Sequence, residues 1–268
     1  MKYFIVICFA IFLPLASTTF AANKNVENID CFIVKEDQSY LINKGKNCNT
    51  RYSPASTFKI ALALIGYESG ILKDENYPLW ESKEPVKYLQ DYWSGEKTPS
   101  SWMRYSVVWY SQMLTTKLGI KNFQNYMDKL EYGNKDLSGN PEKNDGLTEA
   151  WLSSSLLISP LEQISFIEKL ASDSLLLFSK ESQTKTKNLI RIFEESLLSN
   201  GWTIYGKTGS DIDKKIGERK GYFVGFATKD KRLISFVIHI TGNNDSKVGG
   251  IYAKKKALDV MMKEVLNF

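Results

Sequence analysis

The chain has 268 residues, with 35 Lys and Arg against 30 Asp and Glu, for a net charge of +5. Acids and bases are interspersed and no block of like charge stands out, so composition gives nucleic-acid binding no support. The length fits one large domain or two interleaved layers. The single histidine, His239, argues against both a Ser-His-Asp triad and a His-based metal site, so no metal is expected.

In chain order, Lys2 precedes an apolar run, Phe4 to Ala16, and then Thr19-Phe20-Ala21-Ala22. That is the pattern of a secretory signal peptide over residues 1–22, cleaved after Ala21 or Ala22. The run is short for a membrane span. We therefore expect a periplasmic or secreted protein, residues 23–268, with no stable membrane anchor after processing. Cys8 leaves with the leader. Cys31 and Cys48 remain, an even pair whose export predicts a disulfide, with two free thiols as the alternative. Residues 29–53 read as a two-strand hairpin turning at Glu36-Asp37-Gln38. A helical middle covers 56–195, clearest at 56–68, 103–117, 120–130, 160–171 and 180–195, with a polar loop from Gly133 to Gly146. Ser159-Pro160 ahead of Leu161-Glu162 is a helix start. Strand-like runs follow at 202–207, 221–228 and 232–241, and an amphipathic helix closes the chain at 250–267. This order predicts an α+β fold: a mostly antiparallel sheet flanked by helices, with an inserted all-helical lobe.

The most informative segment is Pro54-Ala55-Ser56-Thr57-Phe58-Lys59, at the mouth of the apolar run Ile60 to Ile65. Positions i and i+3 share a helix face, so Lys59 can reach Ser56. The helix N-terminus offers free N–H groups and a positive dipole end where an oxyanion would form. Ser-x-x-Lys recurs at Ser94/Lys97 and Ser182/Lys185, but both read as solvated surface. A serine nucleophile needs a base. With His239 read as a structural strand residue, the base is a lysine, a carboxylate or a derivative of one. Burial beside Phe58, Ile60, Val107, Val108, Trp109 and Trp151 would keep Lys59 neutral. A neutral amine can capture carbon dioxide as a carbamate, an anionic oxygen base.

The ordered set Ser56-Thr57-Phe58-Lys59, Ser106-Val107-Val108, Tyr132-Gly133-Asn134, Trp151-Leu152 and Lys207-Thr208-Gly209 resembles the class D serine β-lactamases, from about residue 30 to the C-terminus. Ile158 to Gln163 and Gly221 to Phe226 resemble that family too. The resemblance implies hydrolysis of β-lactam antibiotics through an acyl-enzyme on Ser56. It implies N-carboxylated Lys59 as general base, hydrogen-bonded by Trp151, and Ser106 as the proton relay to the leaving nitrogen. Lys207 would supply positive charge, and Ser56 and Ser210 the oxyanion-hole N–H groups. Val108, Leu152, Thr208 and Gly209 would contact substrate. Ser106 is placed in a helical segment. Val108 stands where penicillin-binding proteins and class A enzymes usually carry Asn, and so keeps Lys59 dry. Carbon dioxide on Lys59 is the only incorporated group expected, with no other cofactor. The chain departs from the family in having no arginine after Arg232 to hold the substrate carboxylate; Lys254, Lys255 or Lys256 could substitute. Two other readings stand: a β-lactam sensor domain that acylates but turns over slowly, and a cell-wall transpeptidase or carboxypeptidase. A monomer or a homodimer is expected.

Overall fold

A computed structural model of the chain describes residues 26–82, 90–193, 200–213 and 215–266. The expected signal peptide lies outside the described residues. Among those described, no helix is long and apolar enough to cross a membrane.

Strand β1 (Glu27–Glu36) turns through Asp37, at a φ of 52°, into β2 (Ser39–Lys44). The hairpin is as expected, but β2 ends at Lys44 and residues 45–53 form a loop. Cys31 and Cys48 are disulfide-bonded with Cα atoms 5.0 Å apart, tying that loop to β1. The helical lobe then comprises α1 (Lys59–Glu68), α2 (Gln90–Trp93), α3 (Pro99–Tyr105), α4 (Val108–Leu118), α5 (Ile120–Leu130), α6 (Gly146–Glu149), α7 (Pro160–Ala171) and α8 (Lys180–Leu189). A short β3 (Arg191–Ile192), then β4 (Thr203–Asp213), β5 (Glu218–Lys229) and β6 (Arg232–Gly242), complete an antiparallel sheet of order β2-β1-β6-β5-β4-β3. Helix α9 (Gly250–Glu264) closes the fold.

The sheet separates two cores, sorted by the period of two along each strand. On one face Phe32, Val34, Phe223, Ile234, Phe236, Ile238 and Ile240 meet α9. Ala253, Ala257 and Met261 recur every four residues on α9 and form its buried stripe. On the other face Cys31, Ile33, Val224, Phe226 and Val237 meet the lobe. Helix α1 is buried from Lys59 through Tyr67. A helix apolar all round has no solvent face, so it becomes the central pillar. It carries Lys59 into the core at its first turn.

Two helical expectations need correction. The segment 103–117 is two helices, because Ser106 takes a left-handed φ of 59° between α3 and α4. Thr98 and Pro99 start α3 earlier, with a capping box to Ser101, and the β-branched Val107 is extended at ψ 116°. The helix placed at 180–195 ends at Leu189, where the chain enters β3. Residues 194–195 lie outside the described residues, as do 267–268.

Candidate active site

Pro54 leads into a single 3-10 turn, Ala55–Phe58, that runs directly into α1. Ala55 has a φ of 47°, a conformation that costs a non-glycine residue roughly 1–3 kcal/mol. Surrounding contacts hold it there. Ala55 N donates to Trp151 O at 3.1 Å, and Thr57 N to Pro54 O at 3.1 Å. Gln163 Nε2, on α7, donates to Thr57 Oγ1 at 3.1 Å. Strand β4 presses from the other side. A Cβ on Gly209 would lie 3.0 Å from Thr57 Cγ2 and 3.3 Å from Pro54 O, so glycine permits this approach. The turn presents Ser56 half-buried at the junction of sheet and lobe.

Lys59 is fully buried, and its Nζ lies 3.2 Å from Ser56 Oγ. Burial first, and then the nearby Lys207 charge, holds the Lys59 amine well below the ordinary lysine range. Its position at the start of α1 adds the positive dipole end, which also disfavours an ammonium. Phe58, Ile60, Val107 and Trp151 are buried as expected, while Val108 and Trp109 are half-buried. Trp151 is packed against Phe58, with ring centroids 5.6 Å apart. Its backbone is strapped to the turn that carries Ser56, since Ser53 Oγ also donates to Trp151 O at 2.8 Å. Its indole Nε1 is buried without a hydrogen-bond partner among the described residues.

Across from Lys59, Lys207 Nζ donates to Ser106 Oγ at 3.0 Å and to Thr208 O at 3.0 Å. Burial lowers the Lys207 pKa to about 7, so this amine can give and take a proton near neutrality. The left-handed kink at Ser106 is the local feature that the helical expectation missed. The signals were present: the Thr98-Pro99 start and the Val107-Val108 pair. Ser56, Lys59, Ser106 and Lys207 thus form one linked constellation, with Trp151 behind it.

Thr208 is half-buried, Gly209 lies against the turn that carries Ser56, and the Ser210 hydroxyl accepts from Gly250 N at 2.8 Å at the start of α9. Leu152 is half-buried beside Trp151. Of the three lysines considered for a substrate carboxylate, Lys254 lines a cavity together with Lys207 and Thr208. Lys256 pairs with Glu27 at 2.8 Å instead, and Lys255 is exposed.

The other two Ser-x-x-Lys pairs are apart from this constellation, but the surface reading holds only in part. Ser94 is exposed, whereas Lys97 is buried and donates to the carbonyls of Ser94 and Glu96. Ser182 is buried in the first turn of α8, where its N–H is capped by Ser179 Oγ at 3.2 Å. Lys185 pairs with Glu181 at 2.7 Å.

His239 is fully buried on the lobe face of β6, stacked on Tyr222 with centroids 4.6 Å apart and edge-on to Tyr52 at 4.2 Å. Asp30 Oδ2 lies 3.6 Å from Nδ1, but burial, backed by the Lys220 charge, prevails and lowers the imidazole pKa to about 3. His239 is therefore a structural residue.

Tyr132-Gly133-Asn134 braces the site. Asn134 Nδ2 donates to Ser155 O at 2.8 Å, and its Oδ1 accepts from Leu157 N at 2.9 Å. Gly133, at a φ of 56°, passes so close to Leu157 that a Cβ would sit 2.1 Å from its carbonyl oxygen. Tyr132 packs on Phe58 at 5.3 Å. The motif clamps the segment that carries Trp151 under α1. No side-chain chemistry in the motif itself announced that role.

Residues 20–262 match the penicillin-binding protein transpeptidase domain family. The chain is 36% identical to β-lactamase OXA-1 of Escherichia coli, over 97% of this chain and 98% of that protein. Its fold matches the crystal structure of the class D β-lactamase OXA-427 with a TM-score of 0.79 and 39% identity, over 88% of this chain and 98% of that one. Regulatory protein BlaR1 of Bacillus licheniformis is 31% identical over 85% of this chain, but over 35% of its own length.

Proposed function

The chain belongs to the class D β-lactamases, hydrolases built on the penicillin-binding transpeptidase fold, and from that premise we propose that it opens penicillin-type antibiotics through an acyl-enzyme on Ser56. The observation that carries this reading is the placement of a buried, deprotonation-prone Lys59 amine 3.2 Å from Ser56 Oγ.

Ser56 Oγ bonds to the lactam carbonyl carbon as its proton passes to the base on Lys59. The backbone N–H groups of Ser56 and Ser210 face the developing oxyanion. The ring C–N bond then breaks. Ser106 gives its proton to the leaving nitrogen and is replenished from Lys207, whose pKa of about 7 suits that exchange. Once the base has returned its proton to Lys207 through solvent, it takes a proton from the attacking water, whose oxygen bonds to the ester carbon. The C–O bond to Ser56 breaks, Ser56 Oγ takes that proton back, and the penicilloate leaves as a carboxylate with its acid proton released to solvent.

The base for both steps is best met by a carbamate on Lys59, which would supply an anionic oxygen in place of an amine. The residues present fit it: a dry amine whose charged form burial disfavours, and a buried Trp151 Nε1 donor with no other partner among the described residues. Thr208 and Lys207 receive the substrate's ring carboxylate, and Val108, Leu152 and Gly209 its apolar and backbone contacts. The leader-like pattern over residues 1–22 and the disulfide support a reading in which the chain acts outside the cytoplasm.

Steady-state hydrolysis of a chromogenic cephalosporin tests the reading. Many turnovers per enzyme are expected, with activity falling in mild acid and recovering when bicarbonate is added at neutral pH. Stoichiometric acylation without turnover would favour a slow sensor instead, the reading that the BlaR1 likeness keeps in view.

A further inference from the structure

Bordering Lys207 and Thr208 lies a cavity of 640 Å³ between α3, the end of α8, β3, β4 and α9. It is continuous with the catalytic constellation, because Lys207 and Thr208 line it. Among the described residues its charged lining is Arg104, Lys185, Arg191, Lys207 and Lys254 against one carboxylate, Glu75. Lys185 is engaged by Glu181 at 2.7 Å. Arg104 and Arg191 have no carboxylate partner among the described residues. Each lies over an aromatic ring, Tyr105 at 5.7 Å and Phe193 at 5.0 Å. A guanidinium laid over a ring keeps its fork of donors free for a planar anion.

The direction of the cavity gives it a meaning. This step rests on the acyl-transfer reading above. Ser106 protonates the leaving nitrogen and is hydrogen-bonded to Lys207, so the ring attached to that nitrogen lies on the Lys207 side, toward the cavity. One ring carboxylate is satisfied by Lys207 and Thr208. The volume and the remaining cations exceed what that one group requires.

We propose that the cavity selects β-lactams carrying a second anionic group on the leaving ring, with Arg104 and Arg191 as the specificity-determining residues. Both side chains are exposed, so they act through a screened field and set preference among substrates, not the chemistry.

The test uses the full mature enzyme and three cephalosporins sharing one acyl side chain. Their 3-substituents are a carboxylate-bearing group, a methyl group and a pyridinium-methyl group. At low ionic strength, kcat/KM is expected to rank anionic, then neutral, then cationic, with roughly tenfold between the extremes. That ratio should shrink toward unity in 0.5 M salt and in the Arg104→Gln, Arg191→Gln double variant. Equal rates on all three substrates overturn the inference while leaving the hydrolase reading intact. So does a preference that survives in both salt and the double variant. Failure of all three to acylate the enzyme removes the underlying reading and this inference with it.

Discussion

The two faces of the sheet are built from the same strands and do opposite things. Toward α9, every second residue of β6 is apolar: Ile234, Phe236, Ile238 and Ile240 pack against alanines and methionine. Toward the lobe, the same strands bury polar groups at a cost. Lys59 and Lys207 are driven toward neutrality there, and Trp151 Nε1, Tyr222 Oη and both nitrogens of His239 lack partners among the described residues. Burying an unpaired polar group costs on the order of 1–3 kcal/mol. The apolar face supplies stability, and the lobe face spends part of it to hold chemistry in a dry place.

Mutations on the two faces should therefore separate activity from stability. The largest effect is expected at Lys59→Ala. On the proposed acyl-transfer reading it should cut turnover by about 10²–10⁴-fold, as for loss of a positioned general base. Thermal stability should change little, because loss of a desolvated polar group offsets the cavity that the shorter side chain leaves. A large drop in melting temperature with partial activity would place Lys59 in a structural role. On the opposite face, Phe236→Ala should cost about 3–5 kcal/mol in urea unfolding. Its kcat per folded molecule should stay close to that of the parent; a tenfold loss would show that the faces are coupled.

Smaller effects sharpen the same contrast. Reducing the Cys31–Cys48 bridge, which spans 17 residues, should cost about 3 kcal/mol by loop-closure entropy and remove no catalytic group. Two reactive thiols in the denatured, unreduced mature protein would rule the bridge out. His239 should set part of the acid limit of stability. Its pKa falls from 6.5 in the unfolded chain to about 3 in the fold, with Asp30, Lys220, Tyr52 and Tyr222 around it. Between those values the unfolded chain holds the extra proton, so this contribution is complete above about pH 6.5 and is lost as pH falls toward 3. Urea midpoints of His239→Phe should lose part of the slope in that window, and an unchanged slope would clear His239 of the effect.

Much of this division was readable from the chain. The alternation of Ile234, Phe236, Ile238 and Ile240 by itself puts His239 on the other face. Helix α7 has the expected start because Ser159 and Glu162 form a capping box with Pro160 at the first helical position. The spacing of Ser56 and Lys59 foretold their contact. The break at Ser106 was not foreseen, because apolar residues continue through it at helical spacing and hide a left-handed residue. Nor was the bracing by Tyr132, Gly133 and Asn134, which depends on backbone groups of residues 155–158 that are distant in sequence. The cationic cavity draws on α3, α8, β3, β4 and α9 at once, and no local pattern announces such a meeting.

The central claim is that Ser56 is the nucleophile. Intact-mass spectrometry after exposure to a slowly hydrolysed β-lactam tests it most directly. The wild-type enzyme should gain the mass of one antibiotic, lose it over time, and map the adduct to the peptide containing Ser56, while Ser56→Ala should show none. An adduct of the same mass persisting on Ser56→Ala would move the nucleophile elsewhere and contradict the account.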